Sequence, residues 1–301
     1  MTKIDVFAHV LPNEFFQQMK QFDDNLLAKN PYLQNNVLTD IKKRKAGLAP
    51  DVKQVISNVN LNPEDYVDDK TSVELCRNAN DELISMVKDN DIFVSAVAML
   101  PMNSVDEAIK IIEEQVSTKD ELIGVQLFTR ALNKPITSSE YEPIFAKLSE
   151  LNLPIWLHPV FDESRNDNNI TFSWEYELTQ AMYNLVKKGY FQKYPNLKII
   201  VHHAGAMIPF FSGRIRYTMS EIEYNDFKKF YVDTAILGNT KALELTSDFF
   251  GIDHVLFGTD APFGILPFGA TNEIVSAIDN MNITADQRDL IYSKNLKNIL
   301  N

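Results

Sequence analysis

Lys3-Ile4-Asp5-Val6-Phe7-Ala8-His9 is the stretch whose reading sets the fold. A short apolar run delivers a histidine, and Pro12 follows it. That pattern reads as a first β-strand ending at a loop. Side chains alternate along a strand, so positions 7 and 9 share one side. Two histidines there would clamp one divalent ion at the C-terminal end of a barrel strand. Here position 9 is His and position 7 is Phe.

Similar runs recur outward from it. They are Lys3–Ala8, Val52–Val59, Ile92–Ala98, Ile123–Leu127, Pro154–His158, Leu197–His202, Phe230–Asp233 and Asp253–Phe257. Most are continuously apolar rather than alternating, which suits parallel strands covered on both faces. Amphipathic stretches lie between them. Val105–Gln115 places Ala108, Ile111 and Ile112 on one face, and Thr179–Lys188 is stopped by Gly189. Eight such alternations predict a closed α/β fold, the (β/α)8 TIM barrel, as one domain over residues 1–301. A doubly wound open sheet is the competitor, but the chain has no GxGxxG or GxxxxGK[ST] fingerprint. Residues 11–50 interrupt the alternation after the first strand. They are polar, partly helical and broken at Pro31, and read as an insertion. A lid, an oligomer contact and a solvated excursion are the open readings.

With 301 residues and a net charge of −12, the chain has no Lys/Arg-rich block. Nucleic acid and anionic lipid both need clustered positive charge, so both are excluded as expected partners. One cysteine, Cys76, sits in a helical pattern and allows no disulfide within the chain. The start MTKIDVF lacks a signal-peptide core, and no apolar run is long enough to span a bilayer. The expected compartment is the cytoplasm.

Barrel chemistry sits where strands end. The first run ends at His9, the fifth at His158, the sixth at His202 and His203, and the eighth at Asp260. Each alone has an ordinary explanation: a lone His is usually structural, and Asp260 in GTDAP could simply cap a turn. Together they are specific, because imidazoles plus one carboxylate can hold a divalent ion and leave positions open. On a strand His202 and His203 would point oppositely, so at most one should face the mouth. His254, inside the eighth run, reads as structural.

With these residues placed, the chain resembles the amidohydrolase superfamily over nearly its whole length. The resemblance is to the branch that includes aminocarboxymuconate semialdehyde decarboxylase and γ-resorcylate decarboxylase. The opening motif, Asp-x-His-x-His or Glu-x-His, stands as Asp5-x-Phe7-x-His9. The fifth-strand motif stands as Pro154–Pro159 with His158. The sixth-strand motif, LKIIxxHxGxxxPxxxxR, runs from Leu197 to Arg214 with His203 at its catalytic position. GxDxP stands as Gly258–Pro262. Arg77–Leu83 (RNANDEL) and Gly124–Leu127 (GVQL) also match.

The resemblance implies that His9, His158 and Asp260 ligate a metal and that Asp260 shuttles protons. It implies that His203 activates water or polarises substrate, and that Arg214 reaches a neighbouring subunit's site to bind a carboxylate. It further implies a homodimer or homotetramer. The departure is Phe7, which cannot ligate. Either the remaining three residues suffice, or the ion is lost and the barrel is silent or metal-free. Zn, Mn or Fe would suit an imidazole–carboxylate set.

The leading expectation is an enzyme that decarboxylates a small carboxylated substrate, an aromatic one among the options, without oxidation. Metal-dependent hydrolysis of an amide or lactone is the runner-up. A non-catalytic ligand-binding barrel, with Phe7 as its mark, is the third. Trp156, Phe161, Trp174, Phe263 and Phe268 are candidates to line an apolar ring pocket, with plain packing as the ordinary alternative.

Overall fold

The computed structural model describes residues 2–160 and 169–301. Seven strands form one parallel sheet: β1 (Lys3–Val10), β2 (Val52–Asn58), β3 (Phe93–Ala98), β4 (Leu122–Phe128), β5 (Ile155–His158), β6 (Ile199–Val201) and β7 (Tyr231–Val232). They pair in chain order. The eighth place is taken by residues 255–261, an irregular segment. Leu256 N–H donates to Val232 O at 2.8 Å. On the other side, Val6 N–H donates to Phe257 O (2.8 Å), Asp260 N–H to Phe7 O (2.9 Å) and His9 N–H to Ala261 O (2.7 Å). The sheet therefore closes on itself, and the fold is the (β/α)8 barrel that the apolar runs predicted.

Helices return the chain between strands: α1 (Asn13–Phe22) and α2 (Ile41–Gly47) before β2, then α3 (Asp69–Asp89), α4 (Val105–Ile111), α5 (Glu142–Glu150), α6 (Ser173–Lys187), α7 (Ser212–Thr218), α8 (Thr240–Phe250) and α9 (Thr271–Asp279). Their apolar faces pack on the outside of the sheet. α3, for example, buries Leu75, Cys76, Ala79 and Leu83 at helical spacing. A separate small cluster fills the barrel's interior, with Phe7, Val55, Val97, Trp156, Ile200 and Leu256 stacked inside the sheet. Burial on both faces is why these strands read as continuous apolar runs.

The insertion lies against the barrel. Leu11, Phe15, Met19, Leu26, Leu33 and Leu38 are buried in the same core as the strands. Glu82 of α3 accepts the N–H groups of Glu14 and Phe15, which are free donors in the first turn of α1. Arg44 of α2 is buried. Its Nη1 donates to the His9 carbonyl and its Nε to Gln54 Oε1, both at 2.7 Å. The insertion is thereby tied to the backbone of the strand that carries His9.

Asp5 makes a similar tie. Its carboxyl accepts from Gln54, from the Thr259 backbone and from the Thr259 hydroxyl, at 3.0, 2.9 and 2.6 Å. Burial, partly offset by those bonds, pushes Asp5 up to about 6. It joins β1 to the closing segment one residue before Asp260.

Candidate metal centre

His9, His158, His202 and Asp260 each offer one ligand atom, and these four atoms lie within 4.8 Å of one another. All four stand at the ends of apolar runs, and three of them, His9, His158 and Asp260, are the ligands that the resemblance implies. The fourth, His202, has no role in that expectation. β6 ends at Val201, and His203 and Ala204 both take left-handed backbone, each with φ of 55°. Strand alternation therefore no longer separates the adjacent histidines. Their rings lie only 4.1 Å apart at the barrel mouth. Asp260 too is left-handed, at φ 60°. Such conformations are unfavourable for these residues and are held by the surrounding structure.

Each imidazole has its Nδ1 engaged elsewhere. His9 Nδ1 shares a hydrogen bond with the Ser57 hydroxyl at 3.1 Å. His158 Nδ1–H donates to the Pro159 carbonyl at 2.7 Å. His202 Nδ1–H donates to Asp233, a buried carboxylate that also accepts the N–H groups of Ala204 and Ala235. This leaves each Nε2 for the centre, the usual arrangement of metal-binding histidines. Nε2 of His9 and of His202 approach Asp260 Oδ1 at 3.1 and 3.3 Å. Neither makes a well-directed hydrogen bond, and both atoms are fully buried. Buried, undirected donors converging on one carboxylate fit a shared divalent ion.

The charges agree with that. Burial lowers His9, against an opposing pull from Asp260. His158 falls well below the ordinary imidazole range through burial and then its two histidine neighbours. Burial also works against a proton on His202, but Asp233 and Asp260 outweigh it and raise the ring to about 10. Asp260 is lowered because His202 and His9 overcome the effect of its own burial. Without an ion, a proton on His202 supplies the positive charge that this acidic pair demands.

Phe7 lies under the centre. Its ring stacks on His202 with centroids 3.9 Å apart and planes 23° from parallel. The position that the motif gives to a ligand is thus occupied by an apolar floor, and the third imidazole arrives from β6. In place of the three residues on which one reading of Phe7 relies, the structure offers a four-residue set.

The other residues distribute unevenly. His203 is beside the set but outside it; its Nδ1 is 2.8 Å from Glu175 of α6, and Trp174 stacks over it at 6.2 Å. Trp174 also lies 6.0 Å from His158, and Phe263 lies 5.8 Å from His9, so both flank the mouth. Trp156 does not. It is wholly buried inside the barrel and donates its indole N–H to Val6 O at 2.8 Å, so its role is packing. Phe268 packs on Gly47 of the insertion. Phe161 falls outside the described residues. His254 is a structural group, as expected, sharing a hydrogen bond with Phe230 O at 2.9 Å. Arg214 is exposed on α7 and is not one of the four clustered residues.

A family model described as amidohydrolase matches residues 39–295. The chain belongs to the amidohydrolase family. Among curated relatives of this amidohydrolase, the decarboxylase orsB of Emericella nidulans is 30% identical over 161 residues, 48% of each chain. The 6-methylsalicylic acid decarboxylase of Penicillium expansum is 30% identical over 156 residues, 46% of this chain and 48% of the relative. The chain thus spans about half the length of these relatives in the matched regions. The γ-resorcylate decarboxylase of a Polaromonas species matches more widely, at 26% identity over 84% of this chain and 87% of its own. Solved structures share the fold. A 2,6-dihydroxybenzoate decarboxylase in complex with 2,6-dihydroxybenzoate superposes with a TM-score of 0.84 at 21% identity, covering 100% of this chain and 99% of that one. A Polaromonas dihydroxybenzoic acid decarboxylase with bound manganese and 2-nitroresorcinol gives 0.82 at 23%, covering 99% and 96%. Among the described residues, no helix is long and apolar enough to cross a membrane.

Proposed function

We propose that this amidohydrolase is a divalent-metal-dependent, non-oxidative decarboxylase of a small aromatic carboxylate bearing a hydroxyl beside its carboxyl group. The observation that carries the reading is the donor set itself: three imidazoles, each with Nδ1 engaged, and one carboxylate, within 4.8 Å. The names of the relatives point to hydroxylated benzoates as the substrate class. Manganese is favoured over zinc, because the set accepts either and a related structure carries manganese.

An ion held by His9, His158, His202 and Asp260 would supply Lewis-acid binding of the carboxylate and its neighbouring hydroxyl oxygen. The chain's own groups do the rest. Trp174 and Phe263 flank the mouth and exclude water from a ring placed between them. Asp260, kept ionised by the histidines, is suited to ligate. His203, whose Nδ1 lies 2.8 Å from Glu175, would donate the proton. The proton goes to the ring carbon bearing the carboxylate. The carbon–carbon bond then breaks, its electron pair restores the aromatic ring, and CO2 leaves.

Arg214 is assigned to a second copy. It is exposed with no ion-pair partner among the described residues, and Phe210 and Tyr217 beside it are 76% and 89% exposed. A homodimer or homotetramer in which Arg214 meets the neighbour's substrate carboxylate is the proposed assembly. The cytoplasm, which keeps the free, buried Cys76 reduced, is the proposed compartment.

The test pairs elemental analysis with product analysis. Wild-type protein should carry about one equivalent of manganese or zinc, lost in His202→Ala. It should release CO2 from 2,6-dihydroxybenzoate or 6-methylsalicylate. Ring opening of a lactone panel with no CO2 from any benzoate would replace this reading with hydrolysis.

A further inference from the structure

A cleft on the β2–β4 side of the barrel holds polar chemistry that the metal centre leaves unused. Glu64 lies in the turn Pro63–Asp65 after β2, and Gln126 lies on β4. Both line the cleft, between apolar walls that include Met99, Leu100 and Phe128. The Phe128 ring packs edge-on to His158 at 5.4 Å, so the cleft adjoins the metal centre.

Glu64 and Gln126 are 8% and 5% exposed. Glu64 Oε2 and Gln126 Oε1 are fully buried, and neither atom has a well-directed hydrogen-bond partner among the described residues, although the Glu64 carboxyl as a whole is held by its own backbone N–H and that of Met102. The Gln126 amide is not free to turn, because its Nε2 donates to Asn58 O at 2.9 Å. Its carbonyl is therefore fixed as an acceptor. Arg130 also lines the cleft, but its Nε donates to Glu177 at 3.0 Å, and Thr129 donates to the other Glu177 oxygen at 2.9 Å. Two buried oxygen atoms facing one cleft without well-directed partners destabilise the fold unless something else satisfies them.

We propose that Glu64 and Gln126 form a subsite for a neutral hydrogen-bond-donating substituent, a hydroxyl or amino group, on the substrate ring. Only the substituent would enter the cleft, with the ring's carboxylate at the metal centre. The two acceptors would then select among ring isomers by where that second donor sits. Burial pushes Glu64 up to about 8, so near neutrality it is mostly a neutral carboxyl, with one oxygen to accept and an O–H to donate, and it matches a hydroxyl or amino group better than a cation. This assignment rests on the decarboxylase reading.

The experiment is calorimetric binding at pH 7 to metal-loaded protein. The probes are 2-hydroxybenzoate and its 2,3-, 2,4-, 2,5- and 2,6-dihydroxy counterparts. At least one dihydroxybenzoate should bind wild type about tenfold more tightly than 2-hydroxybenzoate, as one added hydrogen bond allows. In Gln126→Leu and Glu64→Leu that advantage should shrink to about twofold or less, with 2-hydroxybenzoate affinity unchanged. Glu64→Gln, which keeps an acceptor of the same shape, should retain the preference. It carries the test with Gln126→Leu if Glu64→Leu does not fold.

An isomer preference that survives Gln126→Leu, or a wild type with no isomer preference, overturns the subsite. So does an equal loss for all five probes with metal content intact, since that marks general support of the centre. If benzoates bind and CO2 is released while selectivity ignores both residues, the subsite alone fails. If no benzoate binds wild type, the decarboxylase reading fails and takes the subsite with it.

Discussion

The barrel has a long-stranded half and a short-stranded half, and they do different work. β1 to β4 run eight, seven, six and seven residues. β5 to β7 run four, three and two, and the eighth position is held by isolated bridges. Three of the four candidate ligands, His158, His202 and Asp260, come from the short half. The difference is physical. A left-handed residue cannot continue a ladder, and His203 and Asp260 both need that conformation to face the mouth. Chemistry is placed where pairing stops, and regular pairing is kept where stability is needed.

That contrast breaks first at Asp260. Asp260→Asn should lower turnover by roughly 10²–10⁴-fold with the thermal transition little changed. A variant of near wild-type activity would remove Asp260 from the mechanism. In the long half, Ile56 is wholly buried between sheet and helices. Ile56→Ala should cost roughly 2–5 kcal/mol in urea unfolding, with kcat of the folded protein retained. If kcat fell in step with stability there, the division between the halves would not hold.

Asp233 sharpens the comparison inside the short half. It touches no ligand position except through His202 Nδ1. Asp233→Asn should weaken metal binding about 10–100-fold, read by competition with a chelating dye. Unchanged affinity would mean that His202 does not ligate through Nε2.

The smallest effect lies in the long half and is read against pH. Glu64 has an ordinary value of 4.5 and is pushed up to about 8 by burial. Between those values the unfolded chain has lost the proton and the folded chain keeps it. Stability attributable to Glu64 therefore falls as pH rises through that window, by about 1.4 kcal/mol per pH unit. Glu64→Gln should flatten this slope between pH 5.5 and 7.5 in urea midpoints. Parallel slopes for the two proteins would show that the carboxyl is not held neutral.

Much of this was legible because apolar runs end at the residues that matter. His9, His158 and Asp260 stand at such ends, and the structure brings them together. His202 was hidden by a rule that is sound for strands: alternation separates neighbours, but only while the strand lasts, and β6 stops at Val201. The doubled histidine was the available signal. Asp233 and Glu175 carried none, since each matters only through a histidine distant in sequence. The run Asp253–Phe257 looked like its siblings but forms a 3-10 turn over Ile252–His254 and then a single bridge to β7. The buried Phe15 and Met19 at helical spacing were the apolar signal inside the polar insertion. Trp156, for which plain packing was the ordinary alternative, is such a packing residue inside the barrel.

The stacking of Phe7 on His202 has a consequence for how this sequence can vary. Restoring an imidazole at position 7 alone would set two rings face to face beneath one ion, each seeking the same coordination direction. Removing His202 alone would leave a phenyl ring facing a gap in the ligand set. Residues in contact couple in their effects, so the two changes are not expected to add. The paired exchange, Phe7→His with His202→Ala, therefore completes the comparison that each single change begins.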